Sequence, residues 1–312
     1  MIRMRGHHHF DHISADQFEG FGAVAEKGNT VFVHSVLGND NASGRNWDRA
    51  VKTMEEAFSR VEDHGIIAAI GTFAEQGVLA PLGVQGVRVV GMAGGRTRHD
   101  DGVRWKESTV AENTFLVAIR EQGWEFHNIL FVPESGYAAI RAWRAEDATY
   151  PDSSHFIVRR CKFIGPGAIG TFTGKGIEDW GGNHHYLVEE CEFDELEFAI
   201  VAPAGSPGIA APLRDIIRFN KFEGNKNDIC MDMSKGLVQG NIFRNAYNNP
   251  AHLNTINLAY VSDVSGANLV VDNHLGDATA NIVIAKGFVP STGDQWRNWV
   301  TDAADPIVAV PA

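Results

Sequence analysis

The chain has only three cysteines among its 312 residues: Cys161, Cys191 and Cys230. An odd, low count without a Cys-x-x-Cys pair excludes a disulfide framework and a zinc ribbon, and leaves buried structural thiols as the expectation. Long apolar runs are also lacking. The longest, 65–70 and 278–285, are strand-length, against the roughly 20 residues a spanning helix needs. A membrane is therefore not an expected partner. Positive charge is scarce: 27 Lys and Arg against 39 Asp and Glu give a net charge of −12. Such a chain is repelled by a phosphate backbone, so nucleic acid is not an expected partner either. The start, MIRMRGHHHFDH, has basic residues but no apolar stretch after them, which predicts no secretion signal. There is no phosphate-binding glycine loop, dinucleotide fingerprint or nucleophile elbow, and no cofactor is expected.

Glycine, in contrast, is abundant: 33 residues spread without low-complexity runs. Many scattered glycines imply many tight turns, as repetitive β architecture requires. A repeat then emerges, built on a short apolar strand, an Asn or Cys, one spacer, and a Phe or Leu. Residues 155–163 read HFIVRRCKF, 185–193 HYLVEECEF, 214–222 RDIIRFNKF, 235–243 KGLVQGNIF and 267–275 ANLVVDNHL. Upstream, 122–130 read QGWEFHNIL, and 85–91 form a degenerate first copy. The registered positions are Gly91, Asn128, Cys161, Cys191, Asn220, Asn241 and Asn273, at spacings of 37, 33, 30, 29, 21 and 32.

Fixed strands with variable loops describe a solenoid, because each strand must pair with the coils above and below while the loops carry the slack. The predicted fold is all-β: a right-handed, single-stranded parallel β-helix. Asn suits a left-handed bend between strands, and Asn side chains stacked coil upon coil can bond along the axis. The sequence thus predicts a structural ladder of Asn128, Cys161, Cys191, Asn220, Asn241 and Asn273. The Phe or Leu two residues on should stack inside. A second strand is expected over 168–172, 198–202, 228–232, 255–260 and 281–285, with Ile169, Ile200, Ile229, Ile256 and Ile282 pointing inward.

Residues 46–62 carry apolar side chains at helical spacing, with Asn46 as candidate N-cap. They predict an α-helix capping the open end of the solenoid. The expected organisation is an N-terminal arm over 1–30, the β-helix over 31–290, and a C-terminal arm over 291–312.

Residues 31–79 contain Gly38-Asn39-Asp40-Asn41, the capping segment, and Gly71-Thr72-Phe73-Ala74-Glu75. This lead-in resembles that of pectate-lyase-like right-handed β-helices, particularly phage tailspike-type proteins. With the repeats, the resemblance covers about 31–290. It implies the fold. The group includes polysaccharide lyases, hydrolases and epimerases, and also virion spikes and decorations without chemistry, so activity must come from a site.

The site reading turns on carboxylates. Asp228 and Asp232, expected on one strand face, would lie about 13 Å apart. Glycoside hydrolysis wants two carboxylates at roughly 5–9.5 Å. Residues 173–185 read as a loop that gathers Glu178, Asp179, Trp180, His184 and His185. If the protein is an enzyme, Glu178 and Asp179 are the catalytic candidates. Trp180, His184, Asp228 and Asp232 are candidates for glycan binding, by apolar stacking plus hydrogen bonds. His185 shares its repeat position with His155, which favours a scaffold role. His7, His9 and His12 are weak metal candidates; otherwise no metal is expected. The leading expectation is a non-catalytic phage virion protein: a tail spike, fibre or capsid decoration. It would be made in the host cytoplasm, assemble as a homotrimer, contact other virion proteins through its terminal arms, and face a cell-surface glycan. The alternative is a polysaccharide-degrading hydrolase or lyase on the same fold.

Overall fold

The computed structural model describes residues 28–92, 103–106, 115–134, 136–143, 153–166, 172–180, 183–202, 214–244, 253–258, 267–276, 288–289 and 295–300. Each coil supplies up to three short strands, and every pairing between coils is parallel. The first series runs through Arg88–Gly91, Glu125–His127, Ile157–Arg159, Leu187–Glu189, Ile216–Arg218 and Leu237–Gln239. The second includes Ile129–Val132, Lys162–Ile164, Glu192–Asp194, Lys221–Glu223 and Ile242–Arg244. The third series stacks Phe115–Ile119, Ala138–Trp143, Lys175–Trp180, Phe198–Val201, Asn227–Cys230 and Asn254–Asn257. Short parallel strands joined by loops of varying length make a parallel β-helix. Gln295–Val300, expected in the C-terminal arm, pairs with Leu269–Gly276 and adds a further rung.

The interior is a set of like-on-like columns. Phe131, Phe163, Phe193, Phe222 and Phe243 stack at centroid separations of 5.1, 4.8, 5.0 and 4.7 Å, with their ring planes nearly parallel. These separations follow the strand spacing of a sheet, about 4.8 Å, since residues in register repeat at that interval. A second column, in the third series, is aliphatic: Val117, Ile140, Ile177, Ile200, Ile229 and Ile256, all fully buried.

The expected isoleucine column needs two corrections. Ile177, not Ile169, pairs with Ile200, and Ile256 pairs with Phe288 rather than Ile282. Residues 169 and 282 lie outside the described residues. The expected second strand over 228–232 also ends earlier, at Cys230.

The polar ladder is built on one rule. Each ladder Asn accepts with Oδ1 from the main-chain amide of residue j in the preceding coil and donates with Nδ2 to the carbonyl of residue j−3. Asn220 takes Cys191 N (2.9 Å) and gives to Val188 O (2.9 Å). Asn241 takes Asn220 N and gives to Ile217 O. Asn273 takes Asn241 N and gives to Val238 O. The cysteine thiols do half of this: Cys161 Sγ donates to Phe126 O and Cys191 Sγ to Val158 O. All three cysteines are free and buried, and burial pushes the Cys161 thiol up to about 12.

Asn128 does not belong to this ladder. Register pairs it with Arg160, and Ile129 holds the position equivalent to Cys161. Asn128 (φ 56°) instead shares a left-handed bend with Arg160, Glu190, Phe219 and Asp272, at φ between 54° and 58°. The bend and the ladder are neighbouring residues with different duties. One turns the chain, and the next points its side chain along the axis.

The expected single helix over 46–62 is two pieces: a 3-10 turn, Trp47–Arg49, and α1, Met54–Arg60. Asn46 caps the first through its Oδ1 and Arg49 N (3.0 Å). The break falls at Val51, which bridges to Val33. The lead-in motif explains itself here. Asp40 Oδ1 accepts from Lys52 and Thr53 amides, and the Glu75 carboxylate accepts from Met54 and Glu55 amides. These acids satisfy amides that a helix start leaves open. Met54, Ala57 and Phe58 then close the N-terminal end of the core, with Phe58 centroids 5.0 and 6.1 Å from Trp124 and Trp105.

Candidate functional site

The third-series sheet carries the candidate residues, but not as a loop. Residues 175–180 of the expected loop form the strand Lys175–Trp180, sandwiched between Ala138–Trp143 and Phe198–Val201. Successive side chains on a strand point to opposite faces. Ile177 and Asp179 therefore share one face, with Asp179 in register with core residue Ala142. Glu178 lies on the other, in the row Ala118, Arg141, Glu178, Val201, Cys230 and Asn257.

Glu178 is wholly buried and ion-paired twice: to Arg141 (2.5 Å) and to Lys175 (2.5 Å). The Arg141 guanidinium is itself clasped between Phe115 and Trp180, 5.1 and 5.0 Å from their centroids. Trp143 packs edge-on against Phe115 at 6.1 Å. The result is a charged centre under an aromatic rim, with Trp143 and Trp180 in register on adjacent strands. Arg141 was not singled out from the sequence, because pairing with Glu178 across coils 37 residues apart leaves no local spacing signal; Lys175, three residues before Glu178 on the same strand, was passed over because the segment read as a loop.

Asp179 serves a different structure. Its Oδ1 accepts from Asn183 N (3.2 Å) and Asn183 Nδ2 (2.6 Å), and Asn183 in turn bonds to Ser153. Glu178 and Asp179 are thus adjacent in sequence but on opposite faces of the sheet, and cannot act on one glycosidic bond as an acid and a nucleophile.

The remaining candidates are dispersed. Asp228 and Asp232 are 4% and 1% exposed, and Asp228 accepts from Asn225 Nδ2 (2.9 Å). Burial takes both away from any sugar lying on the surface. His184 binds Ser154 Oγ through its main-chain amide (2.9 Å). His185 stacks on His155 at 4.9 Å, both at a left-handed bend, so the pair belongs to the coil-to-coil scaffold. His7, His9 and His12 lie outside the described residues. Among the described residues, no group of three or more His, Cys, Asp or Glu side chains is arranged to hold a metal ion. No described helix is long and apolar enough to cross a membrane.

The parallel coils and their like-on-like columns decide the architecture. The chain folds as a parallel β-helix. Among solved structures it is similar to pectate lyase Pel9A, at 8% identity and a TM-score of 0.44 over 89% of this chain and 81% of that one. It is also similar to a rhamnogalacturonan lyase, at 9% identity and a TM-score of 0.35 over 90% of each chain. No family model matches the β-helix, and no curated protein matches it.

Proposed function

We propose that this β-helix is a non-catalytic virion component of a phage: a tail spike, fibre or capsid decoration, assembled as a homotrimer and facing a glycan or host surface. The observation that carries this reading is the fate of the two candidate acids. Glu178 is neutralised by two cations beneath an aromatic rim, and Asp179 is turned into the coil interior. A general acid must be able to reach the substrate, and both groups are buried away from it. The repeated ladders supply what a spike or decoration needs instead, a stiff rod whose every rung bonds to the next. Light scattering on the purified protein tests the assembly. A mass of three chains is the expected result, and a stable single chain contradicts it. Incubation with a panel of capsular and acidic polysaccharides tests the chemistry. No new reducing ends or unsaturated uronates are expected, and either product overturns the reading in favour of a depolymerase.

A further inference from the structure

The Asn rule is used in two more columns. Asn225 accepts from Leu196 N and donates to Phe193 O, three residues before. Asn268 accepts from Gly236 N (2.8 Å) and donates to Met233 O (2.7 Å), again three before. The column of Asn268 runs through Phe156, Tyr186, Asp215 and Gly236, as the register of the strands that follow them requires. Asp215 is therefore a carboxyl where the rule calls for an amide.

Asp215 obeys the first half of the rule. Its Oδ1 accepts from Tyr186 N at 3.2 Å. The second half would be a donation to the carbonyl of Asn183, three residues before Tyr186. A carboxylate has no proton to donate, and the wholly buried Asp215 Oδ2 has no hydrogen-bond partner. Five asparagines in the same geometry each donate from the equivalent atom. A carboxylic acid restores that donor, because its O–H takes the place of the Asn N–H.

We propose that Asp215 is held as a neutral carboxylic acid standing in for a ladder asparagine, which makes the bond between its coil and the preceding one a proton-dependent latch. The surroundings favour the proton. Burial pushes the Asp215 carboxyl well above the usual range, and the neighbouring Asp179 pushes it further. The amides of Tyr186 and His185 act the other way and are outweighed. The titratable side chains facing Asp215 are Asp179, from strand Lys175–Trp180, and Tyr186, whose phenol is likewise pushed up by burial and by both acids. Neither supplies a compensating cation.

The sign follows. An acid raised in the folded state contributes its stability fully below the unfolded value of about 3.9, and that contribution is lost as pH rises towards the folded value. The test is the difference in melting temperature between the native protein and Asp215→Asn, at pH 5 and pH 8. Asn supplies the donor at every pH. The variant is therefore expected to melt higher at pH 8, on the order of 2–4 °C for a domain of this size, with the gap shrinking towards pH 5. A gap that is the same at both pH values, or a variant that melts lower at pH 8, overturns the latch. Should the variant not fold, carbon-13 NMR of aspartate-labelled Asp179→Asn protein gives an independent reading. One aspartate carboxyl still protonated at pH 7 is expected, and a full set of ionised carboxylates contradicts the proposal.

Discussion

Asn241 Oδ1 accepts twice from Asn220, from its main-chain amide at 2.9 Å and its side-chain amide at 3.0 Å. Asn241 in turn donates to Asn273 at 2.9 Å. Three coils are thereby joined by side chains as well as by strand pairing. Truncating the middle residue strands donors on Asn220 and the carbonyl of Ile217 in the core. Asn241→Ala is expected to cost about 2–4 kcal/mol, since each buried polar group left unpaired costs about 1–3 kcal/mol. Urea unfolding checks this, and a loss under 1 kcal/mol would mean that the ladder is incidental.

The phenylalanine column makes a larger demand. Phe193 lies between Phe163 and Phe222 at 4.8 and 5.0 Å and is fully buried. Phe193→Ala removes the centre of the stack and should cost about 3–5 kcal/mol. Phe193→Leu should recover much of this, because Leu fills part of the volume. Equal losses from both would show that ring stacking, rather than volume, holds the column.

The three thiols should be inert in the folded protein. Burial drives Cys161 up to about 12, and Cys191 and Cys230 are raised as well, so none is a thiolate near neutral pH. A thiol-reactive dye should label none of them in native buffer and all three in denaturant. Rapid native labelling would show that a coil opens locally.

Glu125 links Arg88 to His127 on the outer face of the first series. Burial pushes this carboxyl up, but the bond from His127 and the charge of Arg88 outweigh burial and leave it lowered. A lowered acid contributes stability above its unfolded value and loses it as pH falls through the folded one. Glu125→Gln should therefore melt below the native protein at pH 7, and the gap should close in acid. A gap that persists at pH 3 would trace the loss to packing.

The sequence made the axial repeat visible because its spacer-separated Asn or Cys and Phe or Leu positions recur in the coils from Cys161 to Asn273. It was less informative about the third series. Residues 175–180 read as a loop because Gly174 and the glycines at 181 and 182 flank them, and because Glu178 and Asp179 break the apolar pattern. Only pairing to Arg141 and Ala142 reveals the strand. The repeat also hid a one-residue phase error, with Asn128 at the bend rather than in the ladder, because an Asn suits both places. Asp215 escaped notice for the opposite reason. Its column holds Phe, Tyr, Asp, Gly and Asn, and no shared residue type marks it.

The most direct test of the central claim compares the native protein with Glu178→Gln and Asp179→Asn in one experiment, measuring melting temperature and products released from a polysaccharide panel. Glu178 sits between two cations, so neutralising it should lower the melting temperature, as breaking one side of a buried ion pair does. The expected result is that all three proteins release no products while the Glu178 variant loses stability. Products from the native protein that vanish in either variant, with stability unchanged, would make these residues catalytic and contradict the account.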